Sequence, residues 1–190
     1  MAKRGHASHT HRERSTQDSP SSKRTHQEHK EHAPPRVTCM VITCSDTRTS
    51  ATDTSGQLIM RLLKDHGHEV VAYHLVKDEP ASIKALIEAG AGNDAVQAII
   101  INGGTGISKR DSTFETITAL LEKRLDGFGE LFRYLSYKDI GSSAIMSRAT
   151  AGVYRGRIIF STPGSEGAVR LAMEKLILPE LGHMVREITK

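Results

Sequence analysis

The sequence contains no tryptophan, four tyrosines, four phenylalanines and two cysteines in 190 residues. Two cysteines cannot make a disulfide scaffold, so the core must come from aliphatic packing. Cys39 and Cys44 lie in one apolar run, five residues apart. On a strand, whose side chains alternate, they point to opposite faces and can neither bridge nor share a metal. Unpaired thiols fit a reducing compartment, and a cytoplasmic location is expected. No apolar run approaches the roughly 18 residues of a membrane span. The N-terminus lacks the apolar stretch of a secretory signal. His66, His68, His74 and His183 show no metal-ligand spacing, and no Ser-His-Asp arrangement stands out.

Apolar residues are scarce in only one region. Residues 1–36 hold four of them (Met1, Ala2, Ala7 and Ala33), whereas residues 37–190 hold 67 of 154, the usual globular share. Charge divides at the same place. The first 36 residues carry eight Lys and Arg against four Asp and Glu, and the remainder carries 18 of each sign. The chain therefore reads as a basic tail over 1–36 and one neutral domain over 37–190, long enough to bury its own core. Six of the ten histidines fall in the tail, which ends in Pro34-Pro35. Such a segment cannot offset its ordering entropy by burial and is expected to be disordered. Its basic residues are mixed with acids and lack aromatic neighbours, which argues against a nucleic-acid partner. Loose divalent-metal binding by the histidines and a purely solubilising role both stay open.

The domain alternates strand and helix signals. Residues 37–44 (VTCMVITC) and 69–76 (EVVAYHLV) are β-branched, apolar runs, and 98–101 is a shorter one. Between them, Ile59, Leu62, Leu63 and His66 mark one helix face, and Ile83, Leu86 and Ile87 mark another. Phe114, Ile117, Leu120 and Leu121 give a third helix, and residues 127–147 read as helical with glycine interruptions. Two strands near 149–154 and 157–162 read as a hairpin turning at Arg155-Gly156, and a last helix carries Val169, Ala172, Met173, Leu176 and Ile177. This order predicts an α/β fold of three layers, α/β/α. Its sheet is mostly parallel, with helices on both faces and an antiparallel edge. In such folds ligands bind beyond the carboxyl ends of the strands, which selects the loops 45–56, 77–80, 103–111 and 163–166.

Those loops hold the polar chemistry. Gly103-Gly104-Thr105-Gly106 follows a strand directly, and its backbone N–H groups can converge on a phosphate. A tight strand-to-loop turn explains the same glycines. The loop is neither a Walker A motif nor G-x-G-x-x-G, because Lys109 stands where a third glycine would be. Asp111 either caps the third helix or serves as a ligand for Mg²⁺ carried on a phosphate substrate. Asp78 ends the second strand as a turn residue or as a second metal ligand. Lys109 and Arg110 beside Asp111 would neutralise phosphate charge. Ser55 and Ser165 each sit where a helix begins, suited to capping or to an oxyanion.

With these residues in place, the domain resembles the molybdenum cofactor biosynthesis family of MoaB and MogA proteins. The resemblance rests on residues 42–57 (ITCSDTRTSATDTSGQ), 76–79 (VKDE), 101–113 (INGGTGISKRDST), 126–133 (DGFGELFR), 141–152 (GSSAIMSRATAG) and 161–181 (STPGSEGAVRLAMEKLILPEL). Glu166 stands where many members have proline. The resemblance implies a molybdopterin-binding α/β domain that assembles as trimers or hexamers. It implies molybdopterin and ATP with Mg²⁺ as substrates, joined as adenylyl-molybdopterin with release of pyrophosphate. Its catalytic, metal-holding carboxylates fall on Asp78 and Asp111. Substrate contacts fall on Ser45, Asp46, Ser55, Gly103, Gly104, Thr105, Gly106, Ser147, Pro163, Gly164 and Ser165. A non-catalytic pterin-binding or scaffold member of the same family is the alternative.

One further expectation concerns assembly. Phe128, Leu131, Phe132, Tyr134, Leu135 and Tyr137 crowd into ten residues, and a helix turns only one stripe inward. With 128, 131, 132 and 135 as that stripe, Tyr134 and Tyr137 are left on a flank, as at a subunit contact. A homotrimer or homohexamer with 127–140 at or beside an interface is expected.

Overall fold

The computed structural model describes residues 34–109 and 111–190. The expected disorder of the tail therefore falls almost wholly outside the described residues, as does Arg110. The elements run β1 (Thr38–Cys44), α1 (Thr54–Asp65), β2 (Glu69–Val76), α2 (Pro80–Ala91), β3 (Ala98–Asn102), α3 (Thr113–Leu120), β4 (Lys123–Arg124), α4 (Asp126–Ile140), β5 (Thr150–Tyr154), β6 (Arg157–Thr162), α5 (Glu166–Ala172) and α6 (Leu181–Thr189). A 3₁₀ turn, Gly141–Met146, joins α4 to β5, and a π turn, Met173–Ile177, extends α5. No helix among the described residues is long and apolar enough to cross a membrane.

The six strands form one mixed sheet in the order β2-β1-β3-β6-β5-β4. β2, β1, β3 and β6 are parallel, and β5 pairs antiparallel with β6 on one side and β4 on the other. Only β5 runs against the rest. The hairpin places β5 one position in from the edge, because β4 closes that side. β6, the last strand of the chain, lies between β3 and β5 in the interior of the sheet.

Strand alternation divides the core in two. Cys39, Val41, Ala98, Ile100, Ile158 and Phe160 pack with α1, α4, α5 and α6 through Leu58, Leu63, Phe132, Val169, Met173 and Val185. Met40, Ile42, Cys44, Ile99, Ile101 and Ile159 pack with α2 and α3 through Ile83, Ile87 and Ile117. The two cysteines thus lie in different layers and are both free, as the period of two requires. Burial pushes each thiol up to about 12.

Two features depart from the sequence reading, the start of α3 and the inward stripe of α4. Asp111 does not open α3. The helix starts two residues later, with Ser112 at the capping position. Residues 127–147 are helical with a glycine interruption, as the sequence predicts: Gly141 takes φ +63° and ends α4 before the 3₁₀ turn. On α4, Phe128, Phe132 and Ser136 are buried, but Leu131 is exposed. Leu131 therefore belongs with Tyr134, Tyr137 and Ile140 on the outward side and not in the inward stripe.

Candidate functional site

β1, β2, β3 and β6 all end on the same side of the sheet, so the loops that leave them open onto one edge. A cleft of about 440 Å³ forms there. Its walls are Ser45, Asp46, Thr47 and Arg48 after β1, Asp78 after β2, Gly103 to Gly106 and Asp111 after β3, and Gly164 after β6, with Cys44 at the floor. A wider cleft of about 670 Å³, between the β4–β5 edge and α6, is walled largely by Leu125, Val153, Ile158, Met184 and Ile188. It lies away from the carboxyl ends of the parallel strands.

The glycine loop owes its shape to two positions. Gly103 has φ +96°, and a Cβ there would lie 2.1 Å from the carbonyl oxygen of Cys44. Gly104 has φ +60°, and its Cβ would lie 2.0 Å from Thr113 Oγ1 and 2.2 Å from Asp78 Oδ2. Any side chain at either position is strained and collides. Gly103 N–H donates to the Thr162 carbonyl and the Gly104 carbonyl accepts from Thr113 N–H. The backbone N–H groups of Gly104, Thr105, Gly106 and Ile107 have no acceptor among the described residues. Four successive unpaired donors beside an open cleft are the makings of an anion nest.

The carboxylates stand at the two ends of this loop. Asp78 Oδ1 accepts from Ser112 N–H at 3.2 Å, Ser112 Oγ at 2.9 Å and Thr113 Oγ1 at 3.0 Å. Asp78 N–H donates to Asp46 Oδ1 at 3.2 Å. Asp111 Oδ2 lies against Gly106 and accepts from Ser108 N–H at 3.1 Å. Asp78 Oδ2 and Asp111 Oδ1 take no hydrogen bond from the described residues. No group of three or more His, Cys, Asp and Glu among the described residues could hold a metal unaided. Two open carboxylate oxygens instead suit Mg²⁺ that arrives on a polyphosphate and keeps phosphate and water oxygens as its other ligands. Beneath them, burial raises the Cys44 thiol, Thr113 opposes this with a hydrogen bond and the charge of Asp78 adds to it.

Of the serines, Ser45 lines the cleft and Ser55, Ser147 and Ser165 do not. Ser55 is buried, and its hydroxyl donates to the Gly164 carbonyl at 2.8 Å. It braces the loop after β6 and does not line the cleft. Ser165 accepts from Ala168 N–H as the cap of α5. Ser147 ends the 3₁₀ turn and, like Pro163, lies outside the cleft walls. Ser45 does line the cleft, where its Oγ accepts from Thr47 and Arg48 N–H and fixes the turn. Glu166 pairs with Arg170 one helical turn on, away from the cleft.

Arg48 was not singled out from sequence. It donates to Asp53 Oδ1 at 3.1 Å and to the Gly164 carbonyl at 2.8 Å, tying the first loop to the last across the cleft. Asp53 is fully buried, and its Oδ2 accepts from Thr43 Oγ1 at 2.6 Å and from Tyr73 Oη at 2.7 Å. Local sequence shows only that Asp53 caps α1, which it does through Gly56 N–H. The partners on β1 and β2 become visible only once the sheet is assembled.

A family described as a probable molybdopterin binding domain matches residues 40–183. A Bacillus subtilis (strain 168) protein named molybdenum cofactor biosynthesis protein B is 58% identical over 165 residues, which span 86% of this chain and 97% of that one. A crystal structure of a molybdenum cofactor biosynthesis protein B is similar with a TM-score of 0.81 at 55% identity, covering 83% of this chain and 99% of that chain. The tungsten cofactor synthesizing protein MoaB from Pyrococcus furiosus is similar with a TM-score of 0.74 at 36% identity, covering 83% of this chain and all of that one.

Proposed function

The chain belongs to the molybdopterin-binding domain family, and from that premise we propose that its cleft transfers the adenylyl group of ATP to the phosphate of molybdopterin. A role in molybdenum or tungsten cofactor biosynthesis is supported by the names its relatives carry. The observation that carries this reading is the pair of carboxylate oxygens, at the two ends of a loop, that together with four successive backbone N–H groups have no partner among the described residues. A site that only bound an anion would gain nothing from two carboxylates facing it. A site that handles a metal-bound polyphosphate needs both signs of charge.

The reaction needs no nucleophile from the protein. An oxygen of the molybdopterin phosphate attacks the α-phosphorus of ATP, the bond from that phosphorus to the β-phosphate bridge breaks, and pyrophosphate leaves. Magnesium bound with ATP supplies charge neutralisation at the phosphates. The loop donors from Gly104 to Ile107 hold phosphate oxygens, while Asp78 and Asp111 orient the metal-bound end. Catalysis is then largely positioning and electrostatics, as in other phosphoryl transfers. Pyrophosphate release from purified protein supplied with molybdopterin and Mg-ATP tests the reading. Binding of molybdopterin without pyrophosphate release would favour a pterin carrier instead.

We also propose a closed homotrimer, or a hexamer of two trimers. Leu131, Tyr134, Tyr137 and Ile140 are each more than half exposed on α4, and Ile145 and Met146 follow at 83% and 57%. So much apolar surface in one stretch of chain is what subunit contacts cover. Replacing Tyr134 and Tyr137 together by serine should shift light scattering toward smaller species. A wild-type particle of 20.8 kDa at micromolar concentration would overturn the assembly.

A further inference from the structure

The glycine loop is held by a side chain that its own motif does not contain. Arg148 follows the 3₁₀ turn, 43 residues beyond Thr105. Its Nε donates to the Thr105 carbonyl at 2.8 Å and its Nη2 to the Gly106 carbonyl. Nη1 pairs with the Glu115 carboxylate on α3, and the guanidinium lies 4.7 Å from the centre of the Phe114 ring. Arg148 is not among the residues that wall the cleft. It grips the loop from outside.

A trans peptide sets its C=O and the following N–H on opposite sides. Drawing the carbonyls of Thr105 and Gly106 onto Arg148 therefore turns the N–H groups of Gly106 and Ile107 the other way. These are two of the four donors without an acceptor among the described residues. Released from Arg148, the two carbonyls would be free to rotate toward the cleft and set partial negative charge against a phosphate. The charge of the guanidinium is meanwhile matched by Glu115, whose carboxyl the hydrogen bond from Arg148 holds below its usual range.

We infer that Arg148 is a positioning residue, which orients the backbone N–H groups of the glycine loop for a phosphate through its two bonds to the Thr105 and Gly106 carbonyls. The inference rests on reading the cleft as a phosphate site. Fork geometry is the essential property. A lysine has the same charge but cannot span two successive carbonyls and a carboxylate in one plane.

Calorimetric titration with inorganic pyrophosphate, read beside melting temperature and pyrophosphate release, tests it. Arg148→Ala and Arg148→Lys should both lose at least about tenfold in pyrophosphate affinity, with no rescue by lysine. Glu115→Gln keeps an acceptor for the guanidinium and removes a negative charge, so its affinity should stay within about twofold of wild type. Wild-type affinity in Arg148→Lys, or a several-fold gain in Glu115→Gln, would mean that Arg148 acts as a bare attracting charge and would overturn the inference. Failure of the wild type to bind pyrophosphate would overturn it too. If Arg148→Ala does not fold, the lysine and glutamine variants still decide. A wild type that binds pyrophosphate but does not adenylylate molybdopterin would sink the enzymatic reading and leave this one standing.

Discussion

Asp111→Ala should lower pyrophosphate release by at least about 10²-fold, the scale on which removal of a transition-state electrostatic partner is felt. It should do so with little loss of stability. Asp111 caps no helix, and its side chain accepts one hydrogen bond from the described residues, from Ser108 N–H, worth about 1 kcal/mol. Asp78→Asn should be as damaging to turnover and worse for the fold. Its Oδ1 collects three donors that tie β2 to the start of α3, and an amide accepts them without the charge that strengthens each bond. In both variants, residual turnover should depend less steeply on Mg²⁺. Near wild-type turnover in Asp111→Ala, or a melting temperature far below wild type, would remove Asp111 from the metal-holding role.

The largest stability effect is expected at Asp53. Asp53→Ala leaves the Gly56 N–H, the Arg48 guanidinium and the hydroxyls of Thr43 and Tyr73 without their shared acceptor. Removing one member of a buried ion pair costs about 3 kcal/mol, or roughly 10 °C in a domain of this size. The effect also carries a pH signature. Burial opposes the charge on Asp53, but hydrogen bonds from Thr43, Gly56 and Tyr73 and the charge of Arg48 outweigh it, so its carboxyl sits below the ordinary 3.8. A carboxyl depressed in the folded state adds stability above its unfolded pKa of about 3.9, and the gain is lost as pH falls through the folded value. The gap in melting temperature between wild type and Asp53→Asn should therefore be widest near neutral pH and close below about pH 4. A gap that does not change with pH would mean that shape, and not charge, is what Asp53 contributes. Because Arg48 also holds the Gly164 carbonyl, Asp53→Ala should weaken ligand binding along with stability.

Sequence periodicity revealed the layers but not every element. β1 and β3 announce themselves because both faces are covered, so nearly every residue is apolar. β4 is only Lys123-Arg124, both exposed. It is a strand because β5 offers it an edge to pair with, and nothing in two basic residues signals that. α6 follows Pro179 after the π turn, and the sequence reading stopped at Ile177. In the site, the glycine loop and both carboxylates were legible because strand ends and turn residues localise them. Ser55 was not. A hydroxyl at a helix start looks the same whether it faces a ligand or a neighbouring carbonyl, and only the arrival of Gly164 decides. Arg48 and Arg148 escaped for a related reason. Each reaches a distant loop through backbone carbonyls, Gly164 for Arg48 and Thr105 and Gly106 for Arg148, and carbonyls carry no residue identity.

The place of β6 bears on when binding ability appears during synthesis. β6 emerges last of the strands yet fills the gap between β3 and β5, and such long-range pairing forms slowly. Until it docks, β1, β2 and β3 can associate, but the turn carrying Gly164 has not yet met Arg48, 116 residues upstream, nor has Thr162 met the N–H of Gly103. A nascent chain that ends before β6 holds both carboxylates and the glycine loop but no closed cleft. The cleft therefore closes in one late step, when β6 docks between β3 and β5.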